Sequence, residues 1–288
     1  MSASSPNPPS TFQRILRHPV SRVIIGMFML VTPIAVGQGL IVSLPLSRLW
    51  LNVLLGAFTV PVAYWAYRLF VRRVERREMS ELGTAGAGRE LLWGAAIGAL
   101  LFGGTALTLA LAGSLSISGT NEIGVMIIPF IGAVTSGWFE ELLFRGILFR
   151  IVENALGSWL ALVISAVIFG SLHLINPQAT LLGAVAVMLE AGVTLAAAYM
   201  VTRRLWLPVG IHFAWNFVQA GIFGIIVSGT TLRPGLLRTS LAGPEWLTGG
   251  SFGAEASVAA MALGVIVGAA LIVRAVKNGH VIPPPWRP

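Results

Sequence analysis

The chain has 288 residues, is 56% hydrophobic and only 10% charged, and carries a mean hydropathy of +0.83 with a net charge of +8. Charged residues make up about 25% of a typical soluble domain, so an ordinary water-soluble globule is excluded. Cysteine and aspartate are absent and Lys277 is the one lysine, which rules out thiol chemistry, disulfides, a Ser–His–Asp triad, an aspartyl dyad and a P-loop lysine and leaves acid–base work to Glu and His.

In chain order, residues 1–22 begin with the Ser/Pro-rich MSASSPNPPSTFQ and are expected to form a disordered cytoplasmic N-terminus. No charged start leads straight into a short apolar core, so this is not read as a signal peptide. Apolar runs then cover 23–46, 49–70, 91–113, 122–142, 158–175, 179–202, 205–228 and 256–276. Each approaches or exceeds the roughly 18–20 residues that carry a helix across a bilayer. The predicted fold is all-α, a polytopic membrane protein built as a bundle of about eight transmembrane helices. Residues 23–113 are read as N-terminal transmembrane helices, 120–230 as the core that carries the polar motifs, and 256–276 as a last transmembrane helix. GAAIG at 94–98 and GVIVG at 264–268 have the small-xxx-small spacing that lets helices approach closely. GTAGAG at 83–88 follows no strand and is no dinucleotide fingerprint.

An even number of spans puts both termini on one side. That side would hold Arg14, Arg17 and Arg22 before the first span, and Arg68, Arg72, Arg73, Arg76, Arg77 and Arg89 around the loop after the second. Arg145, Arg150, Arg203, Arg204, Arg274, Lys277 and Arg287 follow later even-numbered spans, against Arg48, Arg233 and Arg238 opposite. The positive-inside rule therefore predicts cytoplasmic termini, and the Trp- and Arg-rich composition with abundant Ala and Gly suits a GC-rich bacterial genome, hence a bacterial cytoplasmic membrane. It also assigns the basic charge to topology and anionic headgroups of the lipid bilayer, and not to nucleic acid.

Ionisable groups inside a bilayer are costly and tend to line cavities. In WFEELLFR, Glu141 and Arg145 are four apart and share a helix face, where they can pair, while Glu140 lies about 100° round and is free to point elsewhere. FGSLH places Phe169 and His173 on one face, and HFAWN does the same for His212 and Asn216. An imidazole with a carboxamide supplies the donors that a developing oxyanion needs. Singly, each has a plain structural reading: a solvated helix end, or hydrogen bonds between helices. Together, two carboxylates, two histidines and one amide on three spans point to a shared polar cavity. Glu190, in the 179–202 span, needs a partner from another helix or a cavity to line, and its role stays open.

EELLFR, FGSLH and HFAWN resemble, in order, the EExxxR, FxxxH and HxxxN motifs of the CAAX prenyl protease and bacteriocin-processing (CPBP, or Abi) family of intramembrane endopeptidases. Leu205 to Gly224 reads like a bacterial member, and the resemblance covers roughly residues 120–230. It implies an eight-helix membrane fold with a proteolytic cavity open towards the cytosol, and membrane-associated, CAAX-like peptide or protein substrates. Glu140 would then be the general base that activates the hydrolytic water, His173 would help to position that water, and His212 and Asn216 would stabilise the oxyanion. Glu141 and Arg145 would hold the helix and tune Glu140. No organic cofactor is implied. A divalent metal, zinc, would take Glu140, His173 and His212 as ligands with water fourth, although no HExxH is present. Oligomeric state is not legible. The rival readings are a non-proteolytic membrane scaffold or immunity protein that keeps the motifs, and an ion-coupled transporter, which the absence of a clear internal repeat disfavours.

Depth raises one further expectation. His173 lies about 22 Å into its span, so Glu140 can meet it only if the fourth helix runs on to about Glu153.

Overall fold

The computed structural model describes residues 18–231 and 234–286. Most of the segment read as disordered, with Arg14, Arg17, Arg233 and Arg287, lies outside the described residues. Among the described residues seven helices are long and apolar enough to cross a membrane. The first six are α1 (Pro19–Val42), α2 (Arg48–Glu75), α3 (Ala87–Leu111), α4 (Ile123–Leu156), α5 (Ser158–Ile175) and α6 (Leu181–Thr202). The predicted 205–228 span is a shorter helix, α7, that runs from Trp206 to Asn216 and continues as a π-helical turn over Phe217–Ile222. The last, α8, is Val258–Lys277.

The all-α bundle read from hydropathy is what forms. Its outer surface is apolar, with Leu92, Leu100 and Leu111 of α3 each more than 70% exposed, because lipid and not water surrounds it. Exposed tryptophans mark the two interfaces: Trp93 and Trp159 at one end, Trp50 and Trp246 at the other.

The ends of the bundle differ in chemistry. At the arginine-rich end, Glu75 is paired with Arg22, Arg77 and Arg150, Glu81 with Arg77, and Glu153 with Arg203. The Leu205 amide donates to Glu81 O at 3.0 Å and ties the α6–α7 turn to the α2–α3 loop. The opposite, distal end is neutral and loop-rich. There a two-stranded antiparallel sheet, β1 (Leu115–Thr120) with β2 (Leu237–Leu241), sets Leu115 opposite Leu241 and shifts register between Ile117 and Thr120. The Asn176 amide donates to Ser228 O at 2.6 Å and joins two distal loops.

Two features position the functional residues. First, α4 does not stop at the predicted residue 142. It runs through a π-helical turn, Leu142–Phe149, to Leu156, where Gly157 in the left-handed region (φ +82°) separates it from α5. The charges that looked like a helix end are satisfied internally, since Arg145 bonds Glu141 and Arg150 donates to Gly146 O at 2.9 Å. Glu140 thus sits mid-helix, about 24 Å from either end at 1.5 Å per residue. Arg145 and Arg150 are therefore buried groups and not cytoplasmic loop charges. Second, the predicted small-residue contacts form. A Cβ on Gly94 would fall 2.3 Å from Leu207 O, and one on Gly98 2.2 Å from Ile211 O. The backbones of α3 and α7 therefore meet beside His212. On α8, Gly264 lies against Glu190 and Gly268 against Thr194 of α6.

Candidate active site

A cavity of about 620 Å³ is lined by residues from α1, α2, α4, α5, α7 and the distal loops, and Glu140, His173, His212 and Asn216 all reach it. The four come from α4, α5 and α7, as the three motifs require.

Adjacent carboxylates have opposite environments. Glu141 is fully buried, and its Oε1 accepts from Arg145 Nη1 at 2.8 Å and from His212 Nδ1 at 2.9 Å. Glu140 is turned about 100° from it, with a side chain 26% exposed to the cavity. Arg145 is also fully buried, donates to Ala191 O and Gly192 O at 3.3 and 3.2 Å, and stacks over Phe169 at 4.7 Å. Phe169 in turn packs edge-on against Phe144 and lies against His173, with centroids at 4.8 and 4.9 Å. The F of FGSLH is therefore the floor on which the guanidinium and an imidazole rest.

Both histidines have defined tautomers. A carbonyl can only accept, so His173 Nδ1–H donates to Phe169 O at 2.8 Å and leaves Nε2 as an acceptor. His212 Nδ1–H donates to the Glu141 carboxylate, and its Nε2 stands 3.9 Å from Glu140 Oε2. That gap is too long for a direct hydrogen bond but short enough for one water, set off the line between them, to bridge it. Asn216 Nδ2 donates to Ser136 Oγ at 3.0 Å, which fixes its carboxamide and leaves a second N–H.

Ser136 was missed in the sequence. Its signal is spacing: it lies four residues before Glu140, on the same face of α4. Glu190 is buried, with Oε2 lacking a partner, and lines a small chamber of about 40 Å³ with Glu255, Thr194 and Trp215. His173, His212 and Asn216 border this chamber as well as the large cavity.

Among the described residues no three His or Glu side chains gather into a metal-holding group.

Residues 121–218 match the family model of type II CAAX prenyl endopeptidases, Rce1-like. Over this segment the chain is similar to that family. The segment contains α4, α5, α6 and most of α7, hence all three motifs, and α1–α3 and α8 lie outside it. No curated protein and no solved structure matches the chain. The similarity supports a CAAX-type intramembrane peptidase in general terms.

The two expectations about sidedness cannot both hold. The charge pattern puts the arginine-rich end in the cytosol, and the family resemblance opens the cavity to the cytosol. The cavity runs from the middle of α4 to the distal loops, through Asn176, Ser228 and Thr230, away from the arginine-rich end.

Proposed function

We propose that the chain hydrolyses peptide bonds of membrane-associated substrates, with Glu140 as the general base that takes a proton from water. His173 Nε2 accepts the second hydrogen bond from that water and orients it. Attack on the carbonyl carbon places negative charge on the carbonyl oxygen. The free N–H of Asn216 stabilises that oxygen, joined by His212 when Nε2 also carries a proton. Glu140 then passes its proton to the departing amine as the C–N bond breaks. Glu141, itself held by Arg145, sets the tautomer of His212 and does not touch substrate. Donors fixed in advance stabilise the oxyanion at no reorganisation cost.

The observation that carries this reading is the 3.9 Å gap between Glu140 Oε2 and His212 Nε2 at a cavity wall. It holds a proton acceptor and a histidine close enough for one water, set off the line between them, to touch both. The test compares membrane-proteome N-termini in cells that express wild type or Glu140→Gln at matched levels. New N-termini confined to wild type support hydrolysis and name substrates. No difference, repeated with His212→Ala, moves the assignment to a non-proteolytic scaffold.

A further inference from the structure

We infer that the reaction cavity is entered from the membrane face opposite the arginine-rich end, so that its substrates are peptide segments presented on the extracytoplasmic side. That a peptide is what enters rests on the protease reading; the direction of entry does not.

Three observations carry the direction. The cavity lining begins in the distal loops, at Asn176, Ser228, Thr230 and Thr231, and ends in depth at Glu140 and Leu143. Among the described residues, none from the arginine-rich loops at 76–86, 203–205 or 278–286 lines it.

The inner end of the cavity is sealed. Arg145 and Glu141 are both fully buried beneath Glu140, and Phe144 closes edge-on against Phe169 at 4.8 Å. Below that plug, Tyr67 OH lies 3.1 Å from Gly146 O, and Arg150 spans Gly146 O and Glu75. Substrate coming from the arginine-rich face would have to pass some 24 Å of packed helix to reach Glu140.

The third observation is the charge pattern. Arg72, Arg73, Arg76, Arg77, Arg203 and Arg204 all lie at the sealed end, and among the described residues the distal end offers only Arg48 and Arg238 as cations. A basic end stays in the cytoplasm during insertion, which turns the open end outward. Glu140 lies about 12 Å, or two helical turns, below Gly132 near the mouth. The scissile bond must therefore descend into the bilayer from that side, which suits a membrane-inserted or outer-leaflet peptide better than a cytosolic tail.

The chain has no cysteine, so single-cysteine variants need no background substitutions. A Cβ on Gly132, which lines the cavity, or on Gly88, at the arginine-rich end of α3, meets nothing within 4 Å. Full-length Gly132→Cys and Gly88→Cys are expressed in a bacterial host and treated, in right-side-out spheroplasts, with a membrane-impermeant thiosulfonate. Gly132→Cys is expected to label to near completion and Gly88→Cys only after permeabilisation. Inside-out vesicles should give the reverse. Gly88→Cys labelling in spheroplasts with Gly132→Cys protected overturns the inference, as does Gly132→Cys staying unlabelled from both sides while Thr231→Cys does too. Labelling requires no turnover, so a protein that labels as expected but yields no Glu140-dependent N-termini loses the protease reading and keeps the direction of entry. Where such N-termini do arise, they are expected in extracytoplasmic or membrane-embedded segments, and cuts confined to cytosolic tails overturn the inference.

Discussion

A Cβ on Gly98 would stand 2.2 Å from the carbonyl oxygen of Ile211, the residue that precedes His212. The His212-bearing α7 is therefore held against α3, an element outside the matched family segment, by the absence of a single methyl group. Gly98→Val should push α7 outward and cost about 1–3 kcal/mol, the usual range for overpacking. Gly103→Val on the same helix, where a Cβ meets nothing within 4 Å, is the control. Thermal unfolding in detergent should separate the two, and equal melting temperatures would mean that the helices are not in backbone contact.

Arg145 is the largest fully buried side chain among the described residues, and it offsets the charge of an equally buried Glu141. Arg145→Met leaves that carboxylate uncompensated, at an expected cost of about 3–5 kcal/mol. Adding Glu141→Gln should recover a large part of the stability, because removing both members of a buried pair is far cheaper than removing one. Activity should not return with it, since Glu141 also accepts from His212. A double-mutant cycle read by unfolding and by N-terminus formation distinguishes these outcomes.

Ser136 holds the Asn216 amide at 3.0 Å. Ser136→Ala frees that carboxamide to rotate while leaving the fold intact. Turnover on a substrate found by N-terminal mapping is expected to fall about tenfold, the value of one lost hydrogen bond. The melting temperature should barely move. A fall in stability without a change in turnover would make Ser136 a packing residue only.

Glu255 lies in the loop before α8, outside the spanning segments, where burial pushes its carboxyl from 4.5 up to about 7 despite hydrogen bonds from Ser228, Trp215 and Gln219. Glu190 is the second carboxyl in that chamber. A raised folded-state value means that folding favours the protonated acid. Its contribution is complete below the ordinary value and is lost as pH rises through about 7. Wild type should therefore unfold at progressively lower temperature as pH increases across that window, and Glu255→Gln should flatten the slope. An unchanged slope would show that Glu255 is not the titrating group.

The helical bundle was legible because hydropathy acts on long windows, and the three motifs were legible because i, i+4 spacing fixes a helix face without any knowledge of tertiary structure. Glu141 with Arg145 and His212 with Asn216 are of that kind. The end of α4 was obscured because Arg145 and Arg150 resemble terminating charges until their partners, Glu141, Gly146 O and Glu75, are in place. Those partners lie partly on other elements, and no local pattern announces them. The β1–β2 pairing was illegible for the same reason: its strands are more than a hundred residues apart and match only through register. The Glu190–Glu255 chamber likewise joins α6 to a loop by packing alone.

The π-helical turn over Leu142–Phe149 carries one residue more than an α-helix would need over the same rise. It thereby joins two angular phases in one helix, with Glu140 and Glu141 set by the first and Arg150 and Glu153 by the second. Deleting one residue from the turn would restore plain α geometry and swing Arg150 and Glu153 about 100° away from Glu75 and Arg203, while leaving the carboxylates where they are. The turn acts as a clutch plate: cavity carboxylates and anchoring groups ride on one rod, each at the rotation its own partners demand.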